Sequence, residues 1–118
     1  KKILDAKIQV TATAVRVPVI GGHSESINLS LIKELKNISD IKKLLMKSPG
    51  VIVKDDPTSY EYPMPIDSQE NDSVFVGRIR KDFSKKSSLN LWVVADNLRK
   101  GAATNAIQIL ELLIKKGY

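Results

Sequence analysis

No cysteine occurs among the 118 residues. A disulfide scaffold and a zinc–thiolate site are therefore excluded within the chain, and any thiol chemistry has to come from outside it. The lack also fits a cytoplasmic setting. There is one histidine, His23, so a multi-histidine metal site cannot be built, and no carboxylate cluster stands beside it at ligand spacing. Aromatic residues are only 5%. Val, Ile, Leu and Ala must fill the core, and the stacking platforms of a single-strand nucleic-acid binder are missing. No apolar run approaches the length of a bilayer-spanning helix, so no membrane partner is expected. A G-x-G-x-x-G fingerprint is also absent. Gly21-Gly22 precedes a strand pattern, whereas phosphate-binding glycines open a helix, so the pair reads as a tight turn.

What is present describes a globular chain of about one domain, with 42% apolar and 27% charged residues. The net charge of +6 comes from lysines spread along the chain and interleaved with Asp and Glu. Such a surface is solvated rather than a nucleic-acid footprint, though it would also draw an anionic substrate. The start, Lys1-Lys-Ile-Leu-Asp5, carries no apolar segment of signal-peptide length. It lacks a starting methionine and begins in mid-element, which leads us to expect a piece of a longer protein.

Apolar periodicity predicts a strand over Lys7–Val17 and a second over His23–Leu31. In the second, Ile27, Leu29 and Leu31 alternate with Ser24, Ser26, Asn28 and Ser30, and His23 falls in phase with the apolar set, leaning towards packed surface. Ser39 is expected to cap a short helix over Asp40–Lys47, which Ser48-Pro49-Gly50 stops. Val51–Val53 reads as a brief strand. Lys54–Asp72, with Pro57, Pro63 and Pro65, reads as a loop too long for a mere connection. Ser73–Arg80 and Ser88–Ala95 read as a hairpin joined by the polar Lys81–Ser87 turn. Asp96 or Asn97 is expected to cap a final helix, Leu98–Lys116, with Ala102, Ala106, Ile109, Leu110 and Leu113 along one stripe. This order predicts an α+β fold, a largely antiparallel or mixed sheet with helices on one face.

The block Ala12-Thr-Ala-Val-Arg16-Val-Pro-Val-Ile-Gly-Gly-His23 concentrates the chemistry. The guanidinium of Arg16 can grip a carboxylate through two parallel hydrogen bonds, and the imidazole of His23 can move a proton near neutral pH. Spacing alone leaves both open to structural readings: Arg16 as a strand arginine covering apolar surface, His23 as a strand-end histidine with a satisfied ring nitrogen. In the small-residue run Lys100–Asn105, close packing against a backbone stands beside presentation of the Thr104 hydroxyl or Asn105 amide to a ligand.

Three segments, Val10–Glu25 (VTATAVRVPVIGGHSE), Val74–Asp82 (VFVGRIRKD) and Leu89–Ile109 (LNLWVVADNLRKGAATNAIQI), resemble the aspartate-semialdehyde dehydrogenase family. The chain departs from the family signature at Ala14, where a cysteine that is not the nucleophile is usual, and at Thr11. The resemblance implies the C-terminal portion of that enzyme's catalytic and dimerisation domain, like the C-terminal domain of glyceraldehyde-3-phosphate dehydrogenase-like enzymes. The final helix is then expected to pack on a nucleotide-binding domain outside this chain. It further implies reductive dephosphorylation of L-aspartyl 4-phosphate with NADP as cofactor, serving lysine, methionine and threonine biosynthesis. Three roles come with it: His23 as catalytic acid/base, Arg16 holding the carboxylate of a small acyl-phosphate substrate, and Asn105 near the cofactor. A homodimer or homotetramer is implied for the full-length enzyme, with this piece inactive alone. The alternative is a non-catalytic dimerisation or interaction module on the same scaffold.

Overall fold

The structure, a computed structural model, describes residues 5–118. The Lys1–Leu4 start, on which the expectation of a cut chain rests, lies outside the described residues. Four strands form one sheet in the order β1 (Gly22–Ser30), β4 (Ser88–Asp96), β3 (Val74–Lys81), β2 (Val51–Val53). β1 and β3 both run antiparallel to β4, and the short β2 runs parallel to β3. The mixed sheet and the hairpin are as expected.

Alternation sorts the sheet into two faces. Leu89, Leu91 and Val93 of β4 stand on one, beside Leu29, Ile27 and Glu25 of β1 and Val76 of β3. The helix α1 (Ile38–Met46) covers this face, with Ile38, Ile41 and Leu45 packed on a core of Val76, Ile79, Leu89 and Leu91. Asn37, not Ser39, precedes its first turn, and no side chain caps it. Packing of its apolar stripe supplies the stability that a cap would have added.

The opposite face is closed by the proline-bearing segment. It is more ordered than a loop, holding a short helix α2 (Pro65–Ser68) and a bridge between Asp56 and Glu61. The indole of Trp92 donates to the Pro63 carbonyl at 3.0 Å, and Lys54 reaches Asp67 at 2.8 Å. Gly77, paired with Trp92, permits this approach: a Cβ there would collide with the Lys54 carbonyl and the Pro63 ring.

A bulge between Gly77 and Arg80 shifts the register of β3. It turns Ile79 into the core and leaves Arg78 and Arg80 exposed. Arg78 sits at φ +55°, a left-handed conformation that costs energy. The Asp55 carboxylate offsets it by accepting the N–H groups of Arg78 at 2.8 Å and Ile79 at 3.2 Å, and Lys42 pairs with it at 2.7 Å.

Two further expectations are corrected. Residues 9–17 form no strand, and their side chains are exposed. A β pattern becomes a strand only when another strand takes its backbone groups, and the described residues supply none there. The final helix is not uniform either: a π-helical turn, Arg99–Ala103, leads into α3 (Thr104–Lys115).

Candidate functional site

His23 stands at one end of the sheet, where β1 begins and β4 ends, and the chain leaves β4 there for the helix that carries Asn105. Gly21, at φ +72°, makes the turn that delivers the chain into β1, and only glycine adopts that conformation at no steric cost. The turn is tied to the end of β4, with Asn97 N–H donating to the Gly21 carbonyl at 2.8 Å. Gly22 then pairs with Asp96 and His23 with Ala95.

His23 is exposed, not directed onto packed surface as its phase predicts. It does share a face with Ile27, which is half-buried, but α1 covers the other end of that face, so the His23 end stays open. Leu29 and Leu31 are exposed for a related reason, β1 being the edge strand of the described sheet. Arg16 lies upstream in the unpaired segment and is exposed. Neither Arg16 nor His23 takes part in an ion pair among the described residues. The fold places His23 firmly in a ladder and leaves Arg16 on a tether six residues away from the first paired position, Gly22.

Asn105 stands in the first turn of α3 and is half-buried. The start of this helical segment is fixed by Asp96, a buried carboxylate at the last position of β4. Its Oδ1 accepts from the N–H groups of Leu98 and Arg99, each at 2.8 Å, which is the cap expected from sequence. Its Oδ2 accepts from Glu70 N–H at 3.0 Å. These bonds, the Arg99 N–H foremost, favour the ionised form and hold the Asp96 carboxyl below the usual carboxylate range.

A second carboxylate was not foreseen. Asp72 Oδ1 accepts from the Thr104 hydroxyl at 2.8 Å and meets Arg99 at 3.3 Å, joining the end of the proline-bearing segment to the same helix. The Thr104 hydroxyl, then Arg99, lowers its pKa. Nothing in the sequence marks Asp72, because its partners lie 27 and 32 residues away. Asp55 is equally silent in sequence for the same reason.

A distinct recess lies elsewhere. A cavity of about 460 Å³ is lined by Tyr62, Met64, Arg78, Arg80 and Trp92 among others. Trp92 stands on the face opposite His23 and Ala95, so this recess does not adjoin the imidazole. No group of three or more potential metal ligands forms among the described residues, and no helix there is long and apolar enough to cross a membrane.

Comparison with known proteins gives this end of the sheet its context. The family described as "Semialdehyde dehydrogenase, dimerisation domain" matches residues 1–100. The chain is similar to the aspartate-semialdehyde dehydrogenase of Aquifex aeolicus, 55% identical over 118 residues, covering 99% of this chain and 34% of that protein. It is 49% identical to the Bacillus subtilis protein of the same name over 116 residues, 98% of this chain and 34% of that one. The chain thus spans about a third of the length of these curated relatives. Among solved structures, aspartate semialdehyde dehydrogenase II from Vibrio cholerae complexed with ASA superposes with a TM-score of 0.78. The match has 39% identity and covers 87% of this chain and 30% of that one.

Proposed function

The chain belongs to the semialdehyde dehydrogenase dimerisation-domain family, and from that premise we propose that it is the C-terminal portion of the catalytic and dimerisation domain of an NADPH-dependent aspartate-semialdehyde dehydrogenase. The reaction is the reductive dephosphorylation of L-aspartyl 4-phosphate to L-aspartate 4-semialdehyde, a step towards lysine, methionine and threonine. The observation that carries the reading is the Arg16–His23 block, in a chain similar along nearly all of its length to enzymes of that name.

Each residue has a task that its chemistry suits. Arg16 receives the substrate's α-carboxylate with its planar fork, and its place on an unpaired segment leaves it able to close on the ligand. The nucleophile is a cysteine outside this chain, because the chain has none. Its thiolate attacks the acyl carbon, the C–O bond to phosphate breaks, and a thioester remains. His23 accepts the thiol proton before attack and returns a proton as the aldehyde and thiol are released. NADPH, when bound, supplies the hydride for the reduction. The half-buried amide of Asn105 offers both a donor and an acceptor, which fits the carboxamide of a nicotinamide.

The rest of the polypeptide accounts for two exposed surfaces. Ile107, Ile109, Leu110, Leu112, Leu113 and Ile114 of α3 are each at least 43% exposed. Such a helix calls for a cover, and the nucleotide-binding domain provides it. The proline-bearing segment, with Tyr60, Tyr62 and Met64 exposed on its surface, forms a subunit contact in a homodimer or homotetramer.

The test is His23→Asn in the full-length protein, assayed as NADPH oxidation dependent on aspartyl phosphate. Loss of general acid/base catalysis lowers kcat by about a hundredfold to ten-thousandfold while substrate affinity changes less. Full turnover in this variant, together with unchanged alkylation of the cysteine at neutral pH, returns His23 to a structural role.

A further inference from the structure

We propose that Asp96 is a positioning residue of the active site: one buried carboxylate that sets the geometry between the strand carrying His23 and the helix carrying Asn105. The inference rests on the semialdehyde dehydrogenase reading for the identity of the reaction, and on the structure for the arrangement.

Three segments meet at Asp96, and each is held by a different contact. The helix start is held through the N–H groups of Leu98 and Arg99 on Oδ1. The end of the proline-bearing segment is held through Glu70 N–H on Oδ2. The start of β1 is held through the backbone, where Gly22 pairs with Asp96 itself and the next residue, Asn97, donates to the Gly21 carbonyl at 2.8 Å. The carboxylate also lies against the turn, since a Cβ on Gly21 would stand 4.0 Å from Asp96 Oδ2.

An ordinary helix cap needs one acceptor oxygen, and serine or asparagine serves as well as aspartate. Asp96 uses both oxygens, and the second one leaves the helix to bind a segment 26 residues earlier in the chain. An N–H in that position needs an acceptor, which an asparagine amide nitrogen cannot be. Aspartate is thus required by the three-way junction, not by the cap. His23 and Ala95 occupy the next rung of the ladder, on the other face, so Asp96 acts on the imidazole through the backbone and does not touch it. A junction that lets the two elements part by about an ångström puts the proton-transfer group and the cofactor-side amide out of register, which costs up to about a hundredfold in rate.

The experiment uses the full-length protein with Asp96→Asn and Asp96→Ser, both of which keep an acceptor for the helix cap and lose the bond to Glu70. Two variants guard against one failing to fold. Asp72→Asn serves as the control, since Asp72 braces the same helix from the exposed side without contacting the Gly21 turn. Steady-state rates are taken per folded site, well below each melting temperature. The expected result is a kcat lowered about tenfold to a hundredfold in the Asp96 variants, with KM for both substrates within about threefold, and near-normal kcat in Asp72→Asn. A lowered Tm with unchanged kcat per folded site makes Asp96 a cap only and overturns the proposal. A drop in kcat equally large in Asp72→Asn overturns it as well, because general loosening of the helix would then suffice. An inactive wild-type protein defeats the dehydrogenase reading itself, an outcome distinct from either.

Discussion

The centre of the sheet and the two ends of the chain are equally rich in β-branched and aliphatic residues, yet they meet opposite fates. In β4, Val94 and Leu89 are essentially sealed from solvent. Along residues 8–20, Val10, Val15 and Ile20 stand 61%, 76% and 86% exposed, and in α3 no residue is buried. Hydropathy does not separate the two groups. What separates them is whether this chain contains the complementary surface: β4 lies between two strands with a cover on each face, whereas the upstream segment and α3 have none among the described residues. Arg16 and Asn105 fall in the uncovered regions, and His23 sits on the boundary. The proposed site therefore stands where the packing of the described residues stops.

The sharpest way to break this contrast is in the centre. Leu89→Ala removes a side chain that is 1% exposed, and the cavity left behind is expected to cost about 2–5 kcal/mol, read as a shift in the denaturant midpoint. A cost under about 1 kcal/mol, in contrast, would mean that the centre is no better packed than the ends.

Arg16→Lys probes the uncovered end. Stability is expected to stay within about 0.5 kcal/mol, since nothing packs on Arg16. In the full-length enzyme kcat/KM should fall more than about tenfold, or roughly 1.4 kcal/mol, because the charge survives but the fork does not. Normal kinetics would remove Arg16 from the substrate.

Acid tests the ties between the regions. The carboxyls of Asp67, Asp72, Asp82 and Asp96 are held below the ordinary value of 3.8, and that of Asp56 is lowered to about 2 by the Thr58 hydroxyl and N–H. A depressed folded-state pKa stabilises the fold above the unfolded value, and that stabilisation is lost as pH falls through the folded value. Thermal melts should therefore stay level down to about pH 4 and decline from there towards about pH 2. A decline beginning near neutral pH would contradict this assignment.

The smallest effect is expected in α3. Leu110→Ser at a position 53% exposed should change the stability of the 118-residue chain by less than about 0.5 kcal/mol. The same change in the full-length protein should cost more than about 1 kcal/mol if a second domain covers the helix. Equal costs in the two settings would leave α3 without its proposed cover.

Legibility in the sequence followed the same divide. Val51–Val53 matched the structure residue for residue, and the hairpin strands and α1 agreed within two residues, because their periodicity and stop signals coincide with packing inside the chain. The cap at Asp96 was legible as well, being a local contact two and three residues long. The Lys7–Val17 strand failed, since a strand is defined by its neighbour and not by its own residues. The exposure of His23 was missed because phase tells which face a residue takes, not how far a cover extends along it.

Sequence alone determined the α+β class, the strand–helix–strand order from β1 to β2, the β3–β4 hairpin and the occurrence of a guanidinium and an imidazole in one block, for these depend on local pattern and on residue identity. Tertiary structure alone decided the bulge held by Asp55, the clamp at Asp72, the bond from Glu70 to Asp96 and the exposure of residues 8–20 and of α3. Each of these joins groups some 23 to 32 residues apart or depends on a cover not found among the described residues, and no local pattern encodes a partner at that distance.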